Sequence, residues 1–398
     1  MVLYLLIFVS SLVISIVLIP VLMHSAARLG TLDLPGDRKM HTVPIARIGG
    51  IAFAVGAMGS ILLWATVDRL LLSYLIGGLV IFCFGVLDDR INLNPKEKLL
   101  VQFLAALIVV WVGGIYLKEI PFWKGEVSSW IGVPATLLIL MGITNAVNLS
   151  DGLDGLAGGL CLLSFLGLTY LASLSGDVTV LAISLSVLGG IFGFLRFNTY
   201  PARIFMGDGG SQCLGFSVAF ASLVLTDSGR GAYSPLIGLW VIGLPLFDTL
   251  GVMGQRWRAG RSLFSADKNH LHHKLLAAGF FHHQAVTLIY ALQSVMVGFA
   301  ALFHWRGERN VLIAYVFVMA AVFSVFSLMG RGRFRFSRPT YPVLSEPAKK
   351  EGGRFSLADW PMRLLGIGVP LFLILSVFAP ARIPSDFGWL AIGIFALL

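Results

Sequence analysis

The chain alternates long apolar runs with short polar segments. Twelve runs are long enough to cross a bilayer as helices, and a last apolar piece, 387–398, is too short to assign. Inside a bilayer the backbone must satisfy its own hydrogen bonds, so such runs predict helices. We therefore predict an all-α polytopic membrane protein with about eleven core transmembrane helices and one or two more at the C-terminal end. The twelve runs are 2–24, 45–66, 70–87, 99–117, 131–147, 156–174, 178–195, 211–226, 235–254, 285–304, 311–329 and 362–379.

Composition supports the membrane assignment. The chain is 57% hydrophobic and only 12% charged, whereas a water-soluble domain of this size would need a far more charged surface. The first run is too long for the apolar core of a signal peptide, so we expect a retained helix. Three cysteines, Cys83, Cys161 and Cys213, lie in apolar runs without metal-ligand spacing and are interpreted as packing residues.

The basic residues are unevenly distributed between the two sets of loops. If the N-terminus lies outside, 22 of the 29 Lys and Arg residues fall in loops that face the cytoplasm. Membrane orientation thus explains the net charge of +9, and we expect no nucleic acid partner. We divide the chain into a membrane domain, 1–329, a basic cytoplasmic linker, 330–361, and the extra C-terminal transmembrane segment or segments, 362–398.

Two carboxylates, Asp88 and Asp89, directly follow the third run. Adjacent carboxylates repel, so such a pair is a candidate for binding a metal or acting as a general base; a solvated loop is the alternative. Pro95 is expected to start the next helix, with Lys98 in its first turn. A lysine there is unfavourable to the helix dipole but well placed to reach a phosphate.

A second motif runs from Asn145 to Gly159 and contains Asn148, Asp151 and Asp154. Two amides and two carboxylates at the end of an apolar run are costly in lipid unless each has a partner. The glycines after both aspartates allow a tight turn around a cation and phosphates. The alternative is that the two aspartates only cap the helix that begins near Leu156.

A third motif, Arg196 to Ser211, ends in Gly-Asp-Gly-Gly-Ser and opens another apolar run. Free N–H groups at this helix start, at Gly207, would face an anion, and Asp208 offers a metal ligand. Phe205 is either a base-stacking residue or, more often for an aromatic residue in such a loop, a membrane anchor.

A fourth motif, His270-Leu-His272-His273, lies in a long basic loop. Its spacing resembles a zinc site, but no cysteine is near and the other motifs are rich in carboxylates, which favour magnesium or manganese. We therefore expect the imidazoles to contact anions. Asp248, inside an apolar run beside Pro245, is interpreted as a structural residue next to a broken helix.

These four motifs, in this order, resemble those of polyprenyl-phosphate N-acetylhexosamine-1-phosphate transferases. The resemblance spans residues 30 to 275, and the His-Leu-His-His form is similar to the type that uses UDP-GlcNAc and undecaprenyl phosphate. It implies transfer of a sugar-1-phosphate with release of UMP, at the inner face of the bacterial cytoplasmic membrane, in cell-envelope polysaccharide synthesis. The C-terminal residues 330–398 depart from the family pattern, and we assign them no role.

The resemblance also implies roles for the motif residues. Mg2+ is the expected cofactor, with Mn2+ as a substitute, and the expected partners are a UDP-sugar, undecaprenyl phosphate, membrane lipid and a second copy in a homodimer. The expected metal ligands are Asp208, Asp88 and Asp154. The expected catalytic residues are Asp88, Asp89, Asp208, His270, His272 and His273. The expected substrate-binding residues are Lys98, Asn145, Asn148, Asp151, Asp154, Asn198, Arg203, Phe205 and Gly207.

Two other functions are weighed against this one. Relatives that use UDP-FucNAc or UDP-QuiNAc to begin O-antigen synthesis share the same metal and uridine motifs. A secondary transporter is the alternative from another class, but it predicts paired repeats with acids at mid-membrane. Only Asp248 fits that pattern, and the sequence has no repeat of fixed period.

Overall fold

The structure is a computed structural model that describes residues 2–33, 44–123, 125–227, 233–262 and 269–330. The chain divides into two units, Met1–Arg338 and Pro339–Leu398, and the described residues all lie in the first. The predicted C-terminal segments 362–398, and all but the first residue of the predicted linker 330–361, lie outside the described residues.

Helices dominate the described residues. Their bounds are α1 Val2–Leu29, α2 Gly49–Trp64, α3 Arg69–Ile91, α4 Pro95–Gly113, α5 Ser129–Leu149, α6 Leu156–Ser175, α7 Val178–Asn198, α8 Gly207–Leu225, α9 Leu236–Val241, α10 Gly243–Arg258, α11 Leu271–Ala277, α12 His282–Phe303 and α13 Glu308–Gly330.

Seven of these helices are long and apolar enough to cross a membrane, which makes the chain a polytopic membrane protein. They are α1, α3, α5, α6, α7, α12 and α13, and the apolar α2 is shorter. Two further predicted runs form helices that start with polar or glycine-rich turns, α4 with Lys96-Glu-Lys98 and α8 with Gly207-Asp-Gly-Gly-Ser211.

The apolar run 235–254 contains a broken helix, as expected, and forms two helices, α9 and α10. We expected the break beside Pro245, and the structure has it at Ile242, three residues earlier. Gln293 of α12 fills the break: its amide nitrogen donates to Val241 O at 2.7 Å, and its amide oxygen accepts from Leu244 N at 3.4 Å. Carbonyl and N–H groups freed by the break thus find partners in the protein interior.

The all-α prediction needs one correction. Residues Leu32–Asp33 form a short strand, β1, that pairs antiparallel with β2, Ile45–Ala46. Ala46 also bridges to Ile204 in the loop before α8. These short pairings fix the start of α2 beside the start of α8.

Helix α8 is the centre of the bundle, in contact with α2, α3, α5, α6 and α7. Every residue of α8 is buried except Asp208. Close approach to its neighbours depends on glycine, because a Cβ on Gly85 of α3 would overlap Gly209 of α8. The central helix therefore exposes one side chain, and that side chain is a carboxylate.

The four polar motifs lie at one end of this bundle. Helices α3, α5 and α7 end there, α4, α6, α8 and α12 begin there, and α11 packs on α12 at the same end. The opposite end has its own ion pair, with Lys118 Nζ 3.2 Å from Asp227 Oδ1. Motifs far apart in sequence thus converge because the helices alternate in direction.

Candidate active site

The start of α8 is held by Asp89 of α3. The Asp89 carboxylate accepts hydrogen bonds from Asp208 N at 2.8 Å and Gly209 N at 3.3 Å. Gly207 has a φ of +76°, and a Cβ there would lie 2.5 Å from both Arg47 O and Asp89 Oδ2. This requires a glycine, because left-handed backbone without free space excludes other residues.

This arrangement corrects one prediction. We expected the first N–H groups of α8 to face a phosphate, but a buried carboxylate of the protein accepts two of them. Only 3% of the Asp89 side chain is exposed, and Arg47 NH2 lies 3.9 Å from its Oδ1. The helix dipole therefore stabilises Asp89, and Asp89 fixes the position of Asp208.

Lys98 links two of the predicted catalytic carboxylates. Its Nζ lies 2.5 Å from Asp88 Oδ2 and 2.8 Å from Asp208 Oδ2. As expected, Pro95 starts α4; Asn94 caps the helix by accepting from Glu97 N at 3.2 Å. This cap sets Lys98 in the first turn, aimed at the pocket.

Exposure separates the two carboxylates that Lys98 contacts. The side chain of Asp88 is 2% exposed and accepts from Leu93 N at 2.8 Å, whereas that of Asp208 is 29% exposed. A ligand can therefore reach Asp208 but not Asp88 without rearrangement.

Asn148, at the end of α5, completes the surroundings of Asp208. Its amide nitrogen donates to Asp208 Oδ1 at 3.2 Å and to Ser211 Oγ at 2.8 Å. Asn145 lies one turn earlier on α5 and is half-buried. Asp208 is thus oriented by groups from α3, α4 and α5.

The alternative in which Asp151 and Asp154 cap α6 is wrong. The N-cap is Gly155, and Asp154 Oδ2 instead accepts from Ala202 N at 3.0 Å. Asn198, expected to contact nucleotide, is 5% exposed and joins two loops: its oxygen accepts from Gly155 N at 2.9 Å and its nitrogen donates to Ile204 O at 2.8 Å. Asp154 and Asn198 therefore hold the motif loops together.

Asp151 differs from its neighbours. Solvent reaches its side chain, and no hydrogen bond to its carboxylate is found among the described residues. Partial desolvation and the nearby charges of Asp208 and Asp89 nevertheless raise its pKa from 3.8 to about 7. The pocket thus contains more negative charge than its own cations balance.

The histidine motif is arranged by Asp248. Asp248 Oδ2 lies 2.9 Å from His270 Nδ1, and its Oδ1 accepts from Leu271 N at 2.9 Å. The structural role predicted for Asp248 is confirmed, and the acid fixes the start of α11.

His272, which we expected to contact an anion, is buried in the structure. It is 4% exposed, and burial, together with the charge of His273, lowers its pKa to about 4. It packs on Gly152 so closely that a Cβ there would overlap the imidazole. His272 is therefore neutral near pH 7, and its contact with an anion stays a prediction, while His273 is half-buried.

Two predicted substrate residues lie in the loop before α8. Arg203 is exposed and Phe205 is half-buried. The backbone of Phe205 pairs with that of Ala46 and Gly49, at 2.8 and 2.9 Å, so this loop is tied to β2 and α2. The position of the Phe205 ring neither confirms nor contradicts stacking on a base.

Arg47 ends the polar loop Asp33–Arg47, which the sequence predicts either to close over substrate or merely to connect the first two helices; residues 34–43 of it lie outside the described residues. In the structure Arg47 lies 3.9 Å from both Asp33 and Asp89. The sequence analysis also assigned no role to Tyr290, an aromatic residue inside an apolar run. Its hydroxyl donates to Gly155 O at 2.5 Å. The sequence contains no local signal for such a contact.

The predicted ligand set Asp208, Asp88 and Asp154 is not assembled, since no group of three or more His, Cys, Asp or Glu side chains within the described ranges is arranged to hold a metal ion. The pocket nevertheless contains several carboxylates. Four carboxylates lie near two cations there: Asp88, Asp89, Asp151 and Asp208 face Lys98 and Arg47. The raised pKa of Asp151 reflects this excess of negative charge. Oxygen donors of this kind suit Mg2+ or Mn2+, and Asp208 and Asp151 are the accessible ones.

Comparison with known proteins gives consistent results. The profile described as glycosyl transferase family 4 matches residues 71–226, which include every pocket carboxylate. The chain is 34% identical, over 72% of its length and 80% of the relative's, to a probable undecaprenyl-phosphate N-acetylglucosaminyl 1-phosphate transferase of Bacillus subtilis. It is 34% identical, over 77% and 84%, to a decaprenyl-phosphate N-acetylglucosaminephosphotransferase of Mycobacterium tuberculosis. It is 30% identical, over 73% and 82%, to the undecaprenyl-phosphate alpha-N-acetylglucosaminyl 1-phosphate transferase of Escherichia coli K12.

Proposed function

The chain belongs to glycosyl transferase family 4, and from that premise we propose that it transfers GlcNAc-1-phosphate from UDP-GlcNAc to undecaprenyl phosphate. One observation supports this most: Asp208, the single accessible residue of the central helix, contacts Lys98 and Asn148 at one end of the bundle. The names of the relatives from Bacillus subtilis and Escherichia coli support the lipid phosphate and the GlcNAc unit.

In the proposed reaction, a phosphate oxygen of the lipid attacks the phosphorus that bears the sugar. A new phosphorus–oxygen bond forms to the lipid phosphate, and the bond from that phosphorus to the bridging oxygen breaks. The electron pair leaves with UMP, and the product is a lipid diphosphosugar. Such a transfer needs in-line placement and neutralisation of charge more than covalent chemistry from the protein.

Different residues place the reacting groups and offset their charge. Lys98 contacts Asp88 and Asp208 and offsets part of their charge. Asn148 and Asp89 orient Asp208 from two sides. Asp208 and Asp151 would hold Mg2+ or Mn2+, which, when bound, offsets charge on the transferring phosphate. Asp89 acts by positioning, because both of its oxygens accept from the α8 backbone.

We further propose that the protein lies in the bacterial cytoplasmic membrane with this pocket facing the cytoplasm, and that α9 and α10 together make one of eleven core crossings. The distribution of Lys and Arg along the sequence supports the orientation, since 22 of 29 fall in the loops predicted to face the cytoplasm.

Release of UMP by the purified protein tests the proposal. We expect release from UDP-GlcNAc to require both undecaprenyl phosphate and Mg2+, and Asp208→Asn to reduce the rate about a hundredfold or more, as loss of one such electrostatic group does. Parallel assays with UDP-FucNAc and UDP-QuiNAc test the sugar. Full activity of Asp208→Asn would remove the cation assignment, and faster release from another UDP-sugar would change the substrate.

A further inference from the structure

Helix α12 lies outside the residues that the family profile matches, yet it contacts the Asp151–Gly155 loop directly. The Tyr290 hydroxyl donates to Gly155 O at 2.5 Å. The tyrosine also fills the space above α6, because a Cβ on Gly159 would overlap its hydroxyl and ring. A half-buried phenol thus ends on the backbone of the acidic motif.

A second contact comes from the first residue of α12. His282 Nε2 lies 3.4 Å from Asp154 O, and its ring stacks on Tyr200 with the centroids 4.4 Å apart. His282 is 9% exposed. Helix α12 therefore contacts two consecutive backbone carbonyls, those of Asp154 and Gly155.

The same loop is held from the other side by α7 and the segment that follows it. Gly155 N donates to Asn198 Oδ1 at 2.9 Å, and Asp154 Oδ2 accepts from Ala202 N at 3.0 Å. These contacts fix the backbone of the loop and the Asp154 side chain. Asp151, three residues before Asp154, keeps an accessible carboxylate near the charge of Asp208.

We propose that Tyr290 is a positioning residue that fixes the Asp151–Gly155 loop through Gly155 O and so sets where Asp151 meets the cation opposite Asp208. The inference rests on the proposed function. It predicts that the hydroxyl matters for cation binding although it lies outside the four motifs.

Tyr290→Phe tests this, with Tyr233→Phe as a matched control. Tyr233 donates to Leu171 O at 3.0 Å. Each tyrosine therefore donates to one backbone carbonyl, Tyr290 at the N-cap of α6 and Tyr233 in its last turns. In Tyr290→Phe we expect Mn2+ binding, followed by electron paramagnetic resonance, to weaken about five- to tenfold, the usual effect of one lost hydrogen bond. The Mg2+ concentration for half-maximal UMP release should rise by the same factor, with KM for undecaprenyl phosphate unchanged.

The control separates positioning from stability. Tyr233→Phe should bind Mn2+ like the wild type, even if both variants melt at similarly lower temperatures. Equal Mn2+ affinity in Tyr290→Phe and wild type, or equal weakening in both variants, overturns the inference. If the wild type releases no UMP from any UDP-sugar, the proposed function fails, and the Mn2+ titration still decides whether Tyr290 positions the loop.

Discussion

At the residue scale, Lys98 offsets part of the negative charge of the pocket. Its ammonium contacts both Asp88 and Asp208, so one cation serves two carboxylates. Breaking a buried ion pair by removing one partner leaves an uncompensated charge, which costs far more than an exposed pair is worth. Lys98 therefore supports both stability and activity.

Lys98→Met should lower the free energy of unfolding by about 3 kcal/mol and nearly abolish UMP release. The matched control is Lys96→Met, since Lys96 lies in the same turn of α4 but is exposed. Thermal unfolding in detergent and a UMP assay measure the two effects. Similar behaviour of both variants would show that the Lys98 contacts contribute little.

Asp151 gives the pocket a pH dependence. Its pKa is about 7 in the folded protein without cation and 3.8 ordinarily, so between about pH 4 and pH 7 the folded protein binds more protons than the unfolded chain. Stability without cation should therefore fall as pH rises through this window. Mg2+ should raise the melting temperature more at pH 8 than at pH 5, because protons compete for the same carboxylate.

Asp151→Asn tests the contribution of this carboxylate to the pH dependence of stability. It should lessen the fall in melting temperature between pH 4 and pH 7 and reduce stabilisation by Mg2+ at pH 8. Glu119, a residue for which no role is assigned, offers a control as Glu119→Gln, with the wild-type profile expected. A variant at Asp151 that keeps the full pH dependence would contradict this explanation.

At the element scale, contact between α3 and α8 sets the geometry of the site. A Cβ on Gly85 would overlap Gly209, so Gly85→Ala must push α3 away and move Asp88 and Asp89 relative to Asp208. Gly142→Ala is the control, because no atom lies within 4 Å of the Cβ position at Gly142 inside α5. Gly85→Ala should lose stability and UMP release, whereas Gly142→Ala should gain up to about 1 kcal/mol from helix propensity. Equal melting temperatures would refute the close-packing argument.

The sequence predicted elements better than contacts. Pro95 starts α4 as expected, because its ring favours the first helical turn. The role of Asp89 could not be predicted, since it requires knowing that α3 and α8 touch. Nor could the burial of His272, because a histidine in a basic loop gives no sign of the glycine it packs on. Local chemistry indicates which residues matter, and packing decides whether each contacts ligand or protein.

At the scale of the whole molecule, the remaining prediction is the side of the membrane that the pocket faces. Lys96 lies at the pocket end and Glu126 at the opposite end, and both are exposed. Lys96→Cys should react with a membrane-impermeant maleimide only after cells are opened, whereas Glu126→Cys should react in intact cells. Cys83 is the exposed native cysteine within the described residues, so the wild type supplies the background. Labelling of Lys96→Cys in intact cells would reverse the orientation. Since the UDP-sugar is made and kept in the cytoplasm under our proposal, such a result would also remove the substrate assignment.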